Sequence, residues 1–380
     1  MNLNEYFVTL RNRILRWGFG CAQYLYRHVF RSTPLIYRLP FLSSLMRFLS
    51  PPLSEKETLT AQRRLKENIV ENQVSALKAQ GITHIHFCVL HVELLGDIIS
   101  TEPICHYLKT LEHNSTITWI VKEQFADIVK AFPLVDNIIS VKTLADGFNY
   151  AMQMEKEASD IVIVNCHFDN TQDLATNFTV RNPCNPCVTL QTHYSFGNLL
   201  QSFCLAAGIP RLDATPQLAI DERERAPGLP TDYVVFHCHS SNAFRNWPND
   251  KWDALASWLC GLGIAVVEIG VNKAVAINHS NHYDRTGRRN LLELAAIVKA
   301  ARIFVGVDSG FSHVANAFHV PSIILLGRFA YFDTYFPYSG GFAHSDSFRC
   351  VRAPLGQYVR AIAVDEVQEA FKGFFAKHLV

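Results

Sequence analysis

The sequence predicts an α/β protein with two doubly wound, Rossmann-like domains in series. Short apolar segments alternate with amphipathic, helix-like segments from residue 83 to residue 165, and the alternation restarts at residue 233. Such alternation is typical of parallel strands joined by crossover helices. The length of 380 residues exceeds what one hydrophobic core usually serves. A polar stretch with prolines, residues 218–233, separates the two runs and marks the domain boundary.

The individual elements follow from residue pattern. The apolar runs predict the strands THIHFCVLHV, TITWIV, NIISV and DIVIVN in the first domain and YVVFHC, AVVEIG, IFVGV and SIILLG in the second. Amphipathic spacing predicts helices over residues 98–113, 123–132, 252–263, 291–301 and 312–320. The charged residues 54–80 predict one helix that ends at Gly81.

Four regions result from this pattern. We expect a basic, aromatic, helical extension at residues 1–80 and a first domain at 81–225. A second domain is expected at 226–355, and a terminal helix within 356–380 is expected to pack back on the first domain. Parallel α/β sheets bind ligands beyond the carboxyl ends of their strands. The cleft between the two domains is therefore the expected site.

Composition and charge exclude several classes of protein. The chain is 49% hydrophobic and 18% charged, as folded proteins are, and its net charge of +1 gives no sign of a nucleic-acid partner. No apolar run reaches the roughly 18–20 residues of a membrane span. The N-terminus, MNLNEYFVTLRNRILRW, carries charges where a signal peptide has its apolar segment. We expect a cytoplasmic protein.

Residues 1–53 are basic and aromatic. They contain seven arginines and one acidic residue, Glu5. Apolar residues recur there at helical spacing: Phe7, Leu10, Ile14, Trp17, Cys21 and Leu25. Two interpretations stay open. The segment is either a helical extension packed on protein, or a foot on the cytoplasmic face of the inner membrane, with its arginines on anionic head groups.

The ten cysteines include one pair at a metal-like spacing. Cys184 and Cys187 lie in NPCNPC, with His167 and His193 on either side, whereas the other cysteines are scattered. A single CxxC without a second pair is a weak sign of a metal site. We favour two reduced thiols in a loop, and metal binding stays open as the alternative.

Two loops after predicted strands carry side chains suited to general-base catalysis or to phosphate binding. In the first domain, Gly96 permits a tight turn and Asp97 begins the following helix, where its carboxylate either caps the helix or acts as a general base. In the second domain, Ser240, Ser241 and Arg245 offer hydroxyls and a guanidinium, which are suited to phosphate. The alternative is a polar surface loop.

A third loop, in residues 306–327, joins a strand to a helix. Ser309, Gly310 and Phe311 would present backbone N–H groups at the helix N-terminus, which is a natural anion site. Asp308 is unexpected beside an anion, and we expect it to accept hydrogen bonds from a sugar hydroxyl or from the loop. Two phosphate-suited loops facing a carboxylate are suited to transfer from a diphosphate donor to a hydroxyl.

These motifs resemble glycosyltransferase family 9, the ADP-heptose:lipopolysaccharide heptosyltransferases. The resemblance covers about residues 83–330 and is carried by LLGDIISTEPICHYLKTL, FPLVDNIISV, HSSNAFRNWPNDKWDALASWL and the segment from Thr286 to Gly327. It implies the GT-B fold, a nucleotide-sugar donor, and a saccharide or lipid-linked acceptor. Residues 327–341, GRFAYFDTYFPYSGG, depart from the best-known members, which leaves the sugar and the acceptor undetermined.

The resemblance also implies residue roles. Asp97 matches the catalytic base, and Gly96 its turn on the acceptor side. Ser240, Ser241, Arg245, Ser309, Gly310 and Phe311 match the groups that hold the donor phosphates, and Arg245 stands where many members have Lys. Asp308 matches the acidic neighbour of that cradle, and Glu268 is expected to contact the donor ribose or base. The implied reaction is an inverting displacement that needs no metal and no other cofactor.

Two alternatives to this function remain. One is another GT-B enzyme, an epimerase or a transferase that uses a UDP- or GDP-sugar. The other is a non-catalytic scaffold docked on a membrane through residues 1–53. The sequence does not favour a dinucleotide-binding dehydrogenase or a P-loop kinase, since it contains neither GxGxxG after a strand nor a GK[ST] loop.

Overall fold

The computed structural model describes residues 55–173, 176–182, 184–225, 227–287 and 290–378. Of the helical extension expected at residues 1–80, residues 1–54 lie outside the described ranges. Two parallel sheets dominate the described part, and both belong to one compact unit, Ser54–Val380. The α/β class predicted from the alternating pattern is therefore confirmed.

The first sheet has four parallel strands in the order β3-β2-β1-β4. Their bounds are β1 (Ile85–Leu90), β2 (Ser115–Lys122), β3 (Asn137–Val141) and β4 (Ile161–Asn165). All four were predicted from their apolar runs. The central strand β1 is almost wholly buried because helices cover both faces of a parallel sheet. A small antiparallel pair, β5 (Gln172–Asp173) and β6 (Phe178–Thr179), follows.

Seven helices are described in the first half of the chain, which precedes the strands of the second sheet. They are α1 (Glu55–Gln62), α2 (Ile69–Ala79), α3 (Leu95–Thr101), α4 (Pro103–Leu111), α5 (Ala126–Lys130), α6 (Leu144–Glu157) and α7 (Leu199–Ala207). Helix α6 begins with a capping box, in which Thr143 and Asp146 exchange side-chain to backbone hydrogen bonds of 3.1 Å. Helix α7 ends at Gly208, whose φ of 71° is the left-handed conformation that glycine adopts readily.

Two predicted helices are each divided in the structure. The helix expected over residues 54–80 is α1 and α2, because Asn185 binds both the N–H and the carbonyl of Lys66 and interrupts the helical hydrogen bonds there. The helix expected over 98–113 is α3 and α4. Pro103 begins α4, since it has no N–H to continue the hydrogen bonds of α3.

The second sheet has six parallel strands in the order β12-β11-β10-β7-β8-β9. Their bounds are β7 (Val234–His237), β8 (Val266–Gly270), β9 (His282–Thr286), β10 (Ile303–Val307), β11 (Ser322–Leu326) and β12 (Phe348–Arg352). The four inner strands were predicted, and the two edge strands were missed. Edge strands have only one neighbour and are partly exposed, so β9 (HYDRT) and β12 (FRCVR) lack a continuous apolar run.

Five helices complete the described second half: α8 (Asn249–Gly261), α9 (Leu291–Lys299), α10 (Gly310–Ala317), α11 (Gly341–His344) and α12 (Val364–His378). Helix α12 packs on α8 and β12, and its residues Val367, Phe371 and Phe374 belong to the core of the second sheet. The sequence-based expectation that the terminal helix packs on the first domain is therefore wrong. The apolar side of α12 is instead buried against Trp258 and its neighbours on α8.

Candidate functional site

A cavity of about 600 Å³ lies where the carboxyl ends of β1, β7, β8 and β10 approach one another. The first half contributes the turn before α3, and the second half contributes the loops after β7, β8 and β10. The cavity brings together the residues singled out from the sequence, with the exception of Glu268. They are Gly96, Asp97, Ser240, Ser241, Arg245, Asp308, Ser309, Gly310 and Phe311.

The N-termini of α3 and α10 meet at the floor of this cavity. A Cβ atom added to Gly310 would lie 2.7 Å from Leu95 Cδ2 and 2.9 Å from Leu95 Cβ, closer than atoms can pack. A Cβ atom on Gly96 would come within 3.1 Å of His313 Cδ2. Glycine at both positions therefore lets two helix N-termini from different halves of the fold approach each other.

Asp97 lies in the first turn of α3, half-buried, on the wall contributed by the first half. Within the described part of the chain, its carboxylate has no hydrogen-bond partner. Burial raises the pKa of Asp97 to about 7; Arg245 opposes this shift, and Asp308 and Glu93 add to it. A carboxyl with a pKa near neutrality can take a proton and release it again, as a general base must.

Asp308 and Arg245 form a buried ion pair on the opposite wall. Arg245 Nη1 donates to Asp308 Oδ2 at 2.8 Å, and the two side chains are only 17% and 4% exposed. Tyr335 also donates to Asp308 Oδ2 at 2.8 Å, and Tyr338 donates to Asp308 Oδ1 at 3.3 Å. Burial alone would raise the pKa of Asp308, but Arg245 and His313 bring it below its ordinary value. Both oxygens of Asp308 are thus engaged inside the protein.

Arg245 keeps part of its donor capacity. Its Nε is buried and, among the described residues, without an acceptor. The guanidinium lies 4.7 Å above the ring of Phe329, which restricts its orientation. Arg245 is therefore a fixed cation at the cavity wall, held by Asp308 on one side and Phe329 on another.

The two serines after β7 differ in their surroundings. The hydroxyl of Ser240 donates to the Asn242 carbonyl at 2.9 Å, and its backbone N–H donates to Asn246 Oδ1 at 2.7 Å. Ser240 thus holds the loop in shape while lining the cavity. Ser241 lines the cavity beside it.

The N-terminus of α10 offers fewer N–H groups than the sequence implied. The N–H of Ser309 donates to Ser312 Oγ at 3.1 Å, and Ser309 Oγ is hydrogen-bonded to His237 Nδ1 at 2.9 Å. Gly310 and Phe311 are the first residues of the helix, so their N–H groups have no acceptor within it. The anion site predicted from three residues is therefore left with two free backbone N–H groups, those of Gly310 and Phe311.

Glu268 is not part of the site, which corrects the expectation of a ribose or base contact. It is fully buried within β8, and its carboxylate accepts hydrogen bonds from the N–H groups of Ala274 and Val275. His282 of β9 lies 3.3 Å from the same carboxylate. Because Glu268 points into the sheet packing, it fixes the loop after β8 instead of lining the cavity.

Several cavity residues were missed from the sequence. They include His237, His313, Tyr194 and Leu94, together with Tyr335 and Tyr338 behind Asp308. Burial lowers the pKa of His237 to about 3 and that of His313 to about 4, so both rings are neutral at pH 7. His237 is the last residue of β7, and His313 comes directly after the DSGFS motif. Their positions beside these motifs could have identified both histidines as site residues.

The CxxC pair does not form a metal centre with the flanking histidines. Cys184 and Cys187 are free thiols, partly exposed. His167 instead accepts the N–H of Val92, and His193 stacks on Phe168 at 4.8 Å. Throughout the described ranges, no group of three or more His, Cys, Asp or Glu is placed to hold a metal ion. Nor does any helix in those ranges have the length and apolar character needed to cross a membrane.

Known proteins resemble this chain in sequence. The family model described as glycosyltransferase family 9 (heptosyltransferase) matches residues 172–340. Lipopolysaccharide heptosyltransferase 1 of Pseudomonas aeruginosa is 22% identical over an alignment of 280 residues, which covers 61% of this chain and 76% of the relative. The residues matched by the family model include the loops after β7 and β10.

Solved structures share the fold. A family 9 glycosyltransferase from Veillonella parvula superposes with a TM-score of 0.60 at 18% identity, over 77% of this chain and 98% of that chain. The E. coli ADP-heptose LPS heptosyltransferase II gives a TM-score of 0.60 at 16% identity, over 78% and 100%. These similarities confirm the predicted GT-B arrangement of two Rossmann-like halves around a cleft.

Proposed function

Because the chain belongs to glycosyltransferase family 9, we propose that it moves a sugar, preferably heptose, from an ADP-linked donor to a saccharide hydroxyl. The transfer would serve the assembly of lipopolysaccharide or a related surface glycan, as the names of its relatives suggest. One observation carries the proposal. Asp97, a carboxyl with a pKa of about 7, shares one cavity with the fixed cation Arg245 and the N-terminus of α10.

The first half of the reaction concerns the acceptor. In this mechanism the acceptor hydroxyl lies beside Asp97, gives up its proton to the carboxylate, and attacks the anomeric carbon of the donor sugar. A positioned general base contributes roughly 10²–10⁴-fold to the rate. Attack from the face opposite the leaving group inverts the configuration at that carbon.

The second half concerns the leaving group. As the bond from the anomeric carbon to the diphosphate oxygen breaks, negative charge grows on the departing ADP. Arg245 would meet that charge with its fixed guanidinium, and the N–H groups of Gly310 and Phe311 would do so with the dipole of α10. Ser241, which lines the cavity, would donate to a phosphate oxygen. These protein groups supply the neutralisation, so the proposed mechanism assigns no role to a metal.

A nucleotide panel tests this function directly. The full chain is heated with ADP, UDP, GDP, CDP, AMP or NAD, and with buffer alone. A ligand at about 100 times its Kd stabilises a protein by ~2.7 kcal/mol, which raises the Tm by a few degrees. Selective stabilisation by ADP is the expected result. Stabilisation by UDP or GDP instead would discard the ADP-linked donor, and no response to any nucleotide would favour the non-catalytic scaffold.

For residues 1–53 we propose docking on an anionic membrane surface at the cytoplasmic face. Seven arginines against one acidic residue support this, since each basic residue near an anionic surface contributes about 1 kcal/mol. The full chain should bind vesicles that contain phosphatidylglycerol and not neutral ones. Changing Arg11, Arg13 and Arg16 to Glu should weaken that binding at least tenfold. Equal binding by both proteins would reject the proposal.

A further inference from the structure

A second cavity, of about 590 Å³, lies beside the junction of α1 and α2, and none of its described lining residues belongs to the cavity that contains Asp97. Cys184 and Cys187 both line this second cavity. Six of the nine cysteines in the described ranges are buried, whereas these two are partly exposed. A buried thiol behaves as a core residue, but two thiols on the wall of one open cavity can react with molecules from solution.

One buried side chain holds the backbone around the two cysteines. Asn185, which lies between them, accepts the N–H of Lys66 at 2.9 Å and donates to the carbonyls of Lys66 at 2.8 Å and Leu205 at 2.6 Å. The N–H of Val188 donates to the carbonyl of Asn185 at 2.9 Å, so the chain makes a turn here. The backbone on both sides of Asn185 is thereby kept at the wall of the same cavity.

A metal site is not completed by this pair. Two cysteines separated by two residues are typical either of a metal site or of a disulfide. A structural zinc site uses four protein ligands, and the described part of the chain brings together no group of three or more His, Cys, Asp or Glu that could hold an ion. A disulfide needs only the two thiols, so the pair itself is sufficient for it.

The surroundings of the two thiols do not stabilise their ionised form. Burial raises the pKa of Cys184, with Lys66 opposing the shift, and burial also raises the pKa of Cys187. Dithiols that are strong oxidants have the opposite property, because a lowered thiol pKa stabilises their reduced form. This pair lacks that stabilisation of the reduced form, so its disulfide is not a strained or strongly oxidising one on this account.

The charges on the cavity wall indicate which oxidants it would admit. Arg64 and Lys66 line the cavity, and Glu57 is the one acidic side chain among its described lining residues. An excess of positive charge on a wall attracts anions from solution. Glutathione disulfide carries carboxylates around its sulfur–sulfur bond and is therefore a suitable probe of this cavity.

We propose that Cys184 and Cys187 form an oxidisable dithiol, which closes to a disulfide by exchange with a small-molecule disulfide. One protein thiolate attacks a sulfur of that molecule, forms a mixed disulfide and releases the first half as a thiolate. The other protein thiolate attacks the protein sulfur of the mixed disulfide and releases the second half. The small molecule gains the two electrons that the dithiol loses, and its two thiolates take up the protons of the cysteines. This site is separate from the proposed glycosyl transfer and does not rest on it.

Oxidation of the full chain with glutathione disulfide tests the site. The reaction is run at about pH 8, where more of each thiol is ionised, and is then stopped with acid. The protein is unfolded, its remaining thiols are alkylated with N-ethylmaleimide, and its peptides are mapped by mass spectrometry. Cys184 and Cys187 should be joined and unalkylated, whereas the buried Cys204 should be alkylated. Alkylation of both Cys184 and Cys187, or a mixed disulfide that does not close, would overturn the proposal.

Single variants show whether the two thiols react with each other. Cys184→Ser and Cys187→Ser should stop at the mixed disulfide and retain about tenfold more glutathione on the remaining cysteine than the wild type retains on the pair. Cys350→Ser is the matched control, because Cys350 is also partly exposed but lies on β12 and does not line this cavity. It should form the disulfide as the wild type does. Equal retention of glutathione by the wild type and both single variants would show that the thiols do not reach each other.

Discussion

Arg245 and Asp308 lie 63 positions apart in the sequence and join at 2.8 Å in the cavity wall. The pair connects the loop after β7 to the loop after β10, which are the two loops suited to phosphate. Tyr335 and Tyr338 support it from residues 327–341, beyond strand β11. The fixed cation of the site therefore depends on three separate segments of the second half of the chain.

Asp308→Asn should destabilise the protein by about 3 kcal/mol, because it leaves Arg245 buried without a counter-charge. Tyr335→Phe is the matched control: it removes one hydrogen bond to the same oxygen and should cost only about 1 kcal/mol. Urea denaturation of both variants measures the difference. An equal loss of unfolding free energy in the two variants would mean that the charge of Asp308 does not stabilise the buried Arg245.

Arg245→Ala should weaken ADP binding at least tenfold, since a hydrogen bond to a charged group contributes about 1.5–3 kcal/mol. Calorimetric titration with ADP measures this. Lys251→Ala is the control, because Lys251 donates to the carbonyls of Arg360 and Ile362 and lines no part of the cavity. Unchanged ADP affinity in Arg245→Ala would refute its phosphate role.

Asp97→Asn should lower kcat by a hundredfold or more and leave ADP affinity unchanged, because it removes the base without removing a donor contact. The comparison variant is Glu93→Gln. Glu93 is paired with Lys122 and does not line the cavity, so kcat should stay within a few-fold of wild type. A wild-type rate in Asp97→Asn would exclude it from the mechanism.

The pH dependence of the reaction should report Asp97. Its pKa is raised to about 7, mainly by burial, and a carboxyl is a base only when ionised. Below pH 7, kcat/KM should therefore fall about tenfold for each pH unit, and above pH 7 it should level off. The residual kcat/KM of the Asp97→Asn variant should not show this fall below pH 7. A limb centred near pH 4 would indicate that Asp97 has the pKa of an exposed carboxyl.

Gly310→Ala should cost activity by separating the N-termini of α3 and α10. Its Cβ would strike Leu95, two residues from Asp97, and small displacements of a catalytic group reduce rates by as much as about 10²-fold. The double variant Gly310→Ala with Leu95→Gly removes the whole side chain that the added Cβ would strike, Leu95 Cβ at 2.9 Å included, and should recover at least a tenth of the wild-type kcat. If the double variant is no more active than Gly310→Ala, the Leu95 contact is not the cause.

The loops of the site were found from the sequence, and their internal contacts were not. Asp97, Arg245 and Asp308 each follow an apolar strand, so their arrival at one cleft follows from the rule that parallel strands present their carboxyl ends together. That rule does not say which of these side chains contact each other. The pairing of Arg245 with Asp308, and of Ser309 with His237, depends on side-chain directions set by packing.

The errors in the elements and residues predicted from the sequence also arise from tertiary packing. Glu268 is a charged residue near the end of a predicted apolar strand, where a ligand-binding residue was expected, but it lies within β8 and its carboxylate is directed towards Ala274 and Val275. The edge strands β9 and β12 lacked an apolar signal because one side of each has no neighbour. The break between α1 and α2 comes from Asn185, more than a hundred residues away in the chain.

Hydrophobic periodicity is a local property, so the sequence by itself determined the four strands of the first sheet, the four inner strands of the second, most of their helices and the three loops at the cleft. Contacts between distant segments decided the rest. The first half of the chain contributes Leu94, Phe125, Phe168 and Leu190 to the cavity from separate segments, and no local pattern marks them as neighbours. The raised pKa of Asp97 likewise comes mainly from burial, with Arg245 opposing the shift and Asp308 adding to it, and only the folded chain brings these two charges to its side.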